Sequence, residues 1–143
     1  EALPTENYIV DEITFEGPLF KRTAIEFAGL PFKEMFIYYD DSEYSLRIKK
    51  YGEVIISTKA RLYRVLPQLK QFGHNRFFYL YRNTLVLDMI YGENFIYRKI
   101  GPLYKLSRAL MKRLLFGHFS EFKMLMETFP KALSLKRIFL KYY

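Results

Sequence analysis

The chain contains no cysteine. Disulfides and thiolate-bound metals are therefore excluded, and the fold must rest on packing alone. The material for packing is ample. Half of the 143 residues are hydrophobic, with 14 Phe and 13 Tyr but no Trp. Buried rings each remove a large apolar area from water, which predicts a Phe-rich core with Tyr hydroxyls at its edge. Seven Gly and six Pro, with charged and apolar residues mixed throughout, argue against disorder. The length suits one domain over 1–143. No apolar run approaches the roughly 18 residues of a membrane-spanning helix. The longest, 84–91, is interrupted by Asp88, and no secretory signal pattern is present. Both points indicate a soluble chain. The first residue is Glu1 rather than Met, which points to processing or trimming. Asn and Gln are scarce, 4 and 2, as in proteins selected against thermolabile side chains.

Charge is divided along the chain. Residues 1–60 hold 7 Lys or Arg and 11 Asp or Glu, a net of −4, whereas 61–143 hold 16 and 4, a net of +12. An acidic, β-rich part over 1–58 is thus followed by a basic part over 59–143. Like charges on one side of a fold add to a potential that attracts nucleic acid, anionic lipid or an acidic protein surface.

Patterning predicts an α+β fold. Residues 8–16 read as a strand with Ile9, Ile13 and Phe15 on one face, ended by Gly17-Pro18. Residues 19–28 read as a second strand, with a short helix as the alternative. Residues 35–39 form another, Asp40-Asp41-Ser42 make a turn, and Tyr44, Leu46 and Ile48 alternate with polar residues as in a half-buried strand. Tyr51-Gly52-Glu53 then turn the chain into 54–57, completing an antiparallel meander. Thr58 is placed to cap a helix whose stripe is Leu62, Val65, Leu69 and Phe72, interrupted by Pro67 and ended by Gly73. Aromatic and β-branched content makes 76–82, 84–90 and 95–100 strands, with one helix over 77–91 as the competing reading. From Gly101 the period is helical, with Pro102 at the first position and Leu103, Leu106, Leu110 and Leu114 on the core face. Gly117 ends that helix. Ser120 caps the next, which buries Phe122, Leu125, Met126 and Phe129 and stops at Pro130. Residues 133–143 form a short basic helix or strand. The expected architecture is a set of antiparallel β hairpins followed by two or three C-terminal helices packed on the sheet.

Motifs of catalysis are absent. The sequence has no glycine-rich phosphate loop, no H-E-x-x-H and no G-x-S-x-G. Its only two histidines, His74 and His118, each adjoin a glycine in expected loops, and no third metal ligand accompanies them. The acidic run Asp40-Asp41-Ser42-Glu43, with Lys49 nearby, suits a hairpin tip better than a Mg²⁺ site or a metal-dependent nuclease, because adjacent carboxylates diverge.

Two basic features remain. Lys105, Arg108 and Lys112 recur at helical spacing with Arg113 at their edge, and Lys131, Lys136, Arg137 and Lys141 cluster near the C-terminus. Such cations neutralise phosphates and release condensed counterions. Tyr79, Tyr81, Tyr97, Tyr104, Tyr142 and Tyr143 lie among them, and rings beside cations stack on unpaired bases. The expected function is therefore non-enzymatic binding of a polyanion, foremost nucleic acid, without a metal or cofactor. The alternative is a structural or regulatory interaction protein: a virion component, an inhibitor docking on an acidic host surface, or a self-associating chain. A membrane-surface role for the Leu103 helix is disfavoured by the expectation that its leucines are needed in the core.

Overall fold

The computed structural model describes residues 7–63, 65 and 76–143. The chain divides into two compact units, Glu1–Phe32 with Asp40–Gln71, and Lys33–Tyr39 with Phe72–Tyr143.

In the first unit, strands β1 (Tyr8–Val10) and β2 (Val54–Ile56) pair antiparallel, with Ile9 opposite Ile55. Helices α1 (Arg22–Ala28) and α2 (Asp40–Ile48) accompany them. Three acids in the first turn of α2 favour its start through the helix dipole. Winding as a helix brings Tyr44 and Ile48 to one face, where they are buried with Ala28 and Val54. Phe15, Phe20 and Tyr44 meet edge to face, with ring centroids 5.3–6.0 Å apart. The same winding sets Glu43 and Arg47 one turn apart. Both side chains are almost wholly buried, with Arg47 Nε 2.9 Å from Glu43 Oε1. The guanidinium also donates to the carbonyls of Ala28 and Leu30, at the C-terminal end of α1, where the last carbonyls lack partners within the helix. One buried cation thus closes α1 and fastens it to α2.

This corrects the expected meander. Residues 44–48 are helical, Asp40 and Asp41 open that helix instead of turning a hairpin, and 35–39 are not a strand. Among the described residues one two-stranded sheet remains, and it joins chain segments 44 residues apart at Val10 and Val54. Residues 22–28 take the helical alternative. Thr58 lies in a turn and residues 59–63 are not helical. Leu62 and Val65 are exposed, whereas Pro67, Leu69, Phe72, Gly73 and His74 lie outside the described residues.

The second unit is helical: α3 (Arg76–Tyr91), α4 (Phe95–Lys99), α5 (Gly101–Leu115) and α6 (Phe119–Tyr142). The three expected strands at 76–100 are α3 and α4. Gly92 between them lies so close to the backbone that a Cβ there would stand 2.6 Å from the Asp88 carbonyl oxygen. Along α6, Leu125, Thr128, Ala132, Leu135 and Phe139 are buried at spacings of three and four, and α6 packs mainly on α3. Pro130 does not stop this helix. Its interior position costs about 3 kcal/mol, which the buried stripe running through both sides of it offsets.

A short 3₁₀ turn at Lys33–Met35 precedes Phe36, Tyr38 and Tyr39, all with φ near +63°, a region costly for residues with a Cβ. Donors from α3 hold it. The wholly buried Asn83 amide donates to the carbonyls of Met35, Ile37 and Tyr38 at 2.7–2.9 Å, and Arg82 donates to those of Glu34 and Met35. Burial holds the Arg82 guanidinium below its ordinary pKa.

Replacing Asn83→Leu leaves buried carbonyls without donors and should lower stability by about 2–4 kcal/mol. Glu43→Ala strands a buried guanidinium and should cost about 3–5 kcal/mol. Both are read as shifted urea midpoints. An unshifted midpoint would mean that the network does not hold its unit.

Candidate nucleic-acid interface

The cations of α5 fall on one side of that helix because residues three and four apart share a face. Lys105, Arg108, Lys112 and Arg113 all line an open groove of about 410 Å³ between α3 and α5. Leu80, Thr84, Leu85 and Ala109 supply its walls, and the rings of Tyr39, Tyr81 and Tyr104 border it. Tyr104 is 63 % exposed.

The four cations are not equivalent. Lys105 Nζ lies 2.7 and 2.9 Å from the two carboxylate oxygens of Asp88. Arg113 Nε lies 3.0 Å from Glu121 Oε2, and its guanidinium stands 5.7 Å from the centre of the Tyr81 ring. Among the described residues, no acid pairs with Arg108 or Lys112. Both are exposed on the cationic side of α5. The groove therefore offers two uncommitted positive charges beside an accessible ring, flanked by two cations held in place by acids.

The four cations of α6 do not join that groove. Lys131 pairs with Glu127 at 3.1 Å and sits 4.9 Å over the Phe78 ring. It shares that ring with Arg82, which also covers Tyr79 at 4.9 Å. Lys136 is half-buried. Burial first, then the charges of Lys99 and Arg98, hold its ammonium below the usual lysine range. Arg98 and Lys99 thus extend the basic surface on α4, and the strand reading of 95–100 concealed them. Asn94, whose side chain accepts from Tyr97 N–H at 3.0 Å, was the signal for a helix start there. Arg137 is exposed, and Lys141 lies over the Tyr142 ring at 5.6 Å.

Of the six tyrosines, Tyr81 and Tyr104 line the groove. Tyr79 is half-buried against Phe36 and Phe78, with ring centroids 5.3 Å apart in each case. Tyr97, Tyr142 and Tyr143 are exposed outside the groove. Tyr39, which borders it, was missed because 35–39 read as a strand.

The acidic run does not form a metal cluster. Glu43 is committed to Arg47, and Lys49 pairs with Asp11. Burial, with a smaller push from Asp41, raises the Asp40 carboxyl above its ordinary pKa against the backbone hydrogen bonds that lower it. Among the described residues no group of three or more His, Cys, Asp or Glu could hold a metal ion. His118 lies exposed between α5 and α6.

No protein family, no curated protein and no solved structure matches the chain.

The Lys136 cluster yields a pH test. Its charged form is the one disfavoured by folding, so the cost is present below the folded-state pKa and fades as pH rises toward the ordinary lysine value. Lys136→Met should raise the thermal midpoint near pH 7, with the gain vanishing by about pH 11. An equal gain at both pH values would assign it to packing instead of charge.

Proposed function

We propose that the chain binds nucleic acid without catalysis, holding a single-stranded stretch in the groove between α3 and α5. The observation that carries this reading is the presence of Arg108 and Lys112, free of acidic partners among the described residues, in the same groove as the exposed ring of Tyr104. Consecutive phosphates engage the two cations, which sit one helical turn apart, and an unpaired base stacks on Tyr104. Lys105 and Arg113, fixed by Asp88 and Glu121, flank the two free cations with their own charge largely cancelled. With the two free cations assigned to phosphates, the contacts position the strand and leave its sequence unread. The excess of cations over acids in 61–143 supports the same reading through its long-range attraction for a polyanion.

Fluorescence anisotropy with labelled single-stranded and duplex oligonucleotides, at two salt concentrations, tests this. Binding should fall steeply with salt and favour the single strand. Arg108→Ala and Lys112→Ala should each weaken binding and reduce the salt slope by about one. Tyr104→Ala should weaken single-strand binding about tenfold and leave duplex binding little changed. No binding to either oligonucleotide at low salt would dispose of the proposal.

A further inference from the structure

The turn between α5 and α6 carries large apolar side chains that the fold leaves in water. Leu114 is 49 % exposed, Leu115 75 %, Phe116 69 % and Phe119 66 %. Four of the six residues 114–119 are thus large, apolar and exposed, and only Gly117 and His118 interrupt them. Gly117 takes φ +71°, turning the chain sharply between the two helices. Leu114, Leu115 and Phe116 follow one another at about 100° per residue, so together they span about 200° around the end of α5. An apolar arc this wide is left uncovered by the neighbouring helix, and contiguous patches of this kind mark interaction sites.

Cations stand one turn back from this end. Lys112 precedes Leu115 by three residues and Lys123 follows Phe119 by four, which sets them about 4.5 and about 6 Å behind the tip along their helices. Both are exposed. The nearest acid in sequence, Glu121, is neutralised by Arg113. From 105 to 123 five Lys or Arg accompany that single acid.

We infer that the α5–α6 turn is a docking point for an anionic membrane surface. Interfacial elements bury their apolar groups about 5–10 Å into the boundary between headgroups and acyl chains. Insertion of Leu115, Phe116 and Phe119 to that depth brings Lys112 and Lys123 level with the anionic headgroups, where juxtamembrane cations are attracted. A second copy of the chain fits poorly, since a symmetric contact through this end brings the Lys112 and Lys123 cations of the two copies together. No helix is long and apolar enough to cross a membrane among the described residues, so the contact is with the surface. The site adjoins the nucleic-acid groove and shares Lys112 with it, whereas Leu115, Phe119 and Lys123 line no part of that groove.

The chain has no tryptophan, so Phe116→Trp in the full chain is an unambiguous reporter. Its emission should shift to the blue on adding phosphatidylcholine vesicles that contain phosphatidylserine, and a brominated acyl chain should quench it. Vesicles of phosphatidylcholine alone should give a weaker response. Sedimentation with the mixed vesicles should show the unlabelled chain bound. The double variant Leu115→Ser/Phe119→Ser should reduce that binding at least about tenfold, with an unchanged far-ultraviolet circular dichroism spectrum. Lys112→Gln/Lys123→Gln should weaken the binding and remove its preference for the anionic lipid. An unshifted tryptophan at all lipid concentrations overturns the inference. So does vesicle binding that survives Leu115→Ser/Phe119→Ser. Concentration-dependent dimerisation that this variant abolishes, without vesicle binding, would give the surface to a second copy instead.

Discussion

Burial of α3 is the constraint from which the second unit follows. Its sequence, Arg-Phe-Phe-Tyr-Leu-Tyr-Arg-Asn-Thr-Leu-Val-Leu-Asp-Met-Ile-Tyr, is apolar on more than one side, and a helix of that kind has to be enclosed. The Leu125, Thr128, Ala132, Leu135 and Phe139 stripe of α6 closes one side, with Leu85, Val86 and Met89 buried on α3. Asn83 and Arg82 close another by holding the 33–39 segment in place through its carbonyls. The α5 helix covers a third side through Leu106 and Ala109, but incompletely. Where its cover ends, Leu80, Tyr81 and Thr84 of α3 are left bordering an open groove. The candidate interface is thus the part of α3 that packing does not finish.

The same helices decide which charges remain available. Of the four acids in 61–143, Asp88, Glu121 and Glu127 are each engaged by a nearby cation. Two of those pairs border the groove and orient Lys105 and Arg113. Because cations outnumber acids so strongly in this part of the chain, pairing engages three of its four acids and, among the described residues, leaves Arg108, Lys112, Arg137 and Lys141 without acidic partners. Exposed ion pairs contribute little to stability, so their main effect here is positional. The repulsion at Lys136 from Arg98 and Lys99 is the converse case, a cost that the helical packing sustains.

How far the sequence disclosed this depended on whether a pattern was ambiguous in period. At α5, Pro102 and Gly117 mark the ends of a helical period, and the helix runs from Gly101 to Leu115. The basic spacing of Lys105, Arg108 and Lys112 was equally clear, because any helix places them together. In 44–48, alternation of Tyr44, Leu46 and Ile48 mimicked a strand, although Tyr44 and Ile48 also satisfy a helical turn. The deciding signals were the three acids at its start and the Glu43–Arg47 spacing. α3 lacked a period altogether, since enclosure on several sides removes the polar face on which periodicity depends, and its aromatic content then favoured strand. Pro130 misled for a different reason: local propensity is overruled when a buried stripe continues across it. The groove needed α3 to be a helix, so Tyr104 and Arg108 could be named from the sequence but their junction with Tyr39 and Tyr81 could not.

The face of α5 shows why composition alone misplaced its leucines. The stripe Leu103, Leu106, Leu110 and Leu114 was expected to meet the core, yet Leu103 and Leu114 are half exposed while Pro102, Leu106 and Ala109 are buried. The helix is turned so that its small residue, Ala109, approaches its neighbours, and the larger leucines are displaced toward water. Three distinct faces result: one buried, one cationic along Lys105, Arg108 and Lys112, and one apolar that ends in Leu114, Leu115 and Phe116. A helix needed only for stability would carry one apolar face and one polar face. Supporting a third apolar face in solvent costs solubility, and neither the core nor the groove requires it. That surplus of apolar surface at the end of α5, collared by Lys112 and Lys123, is a feature that folding by itself leaves unexplained.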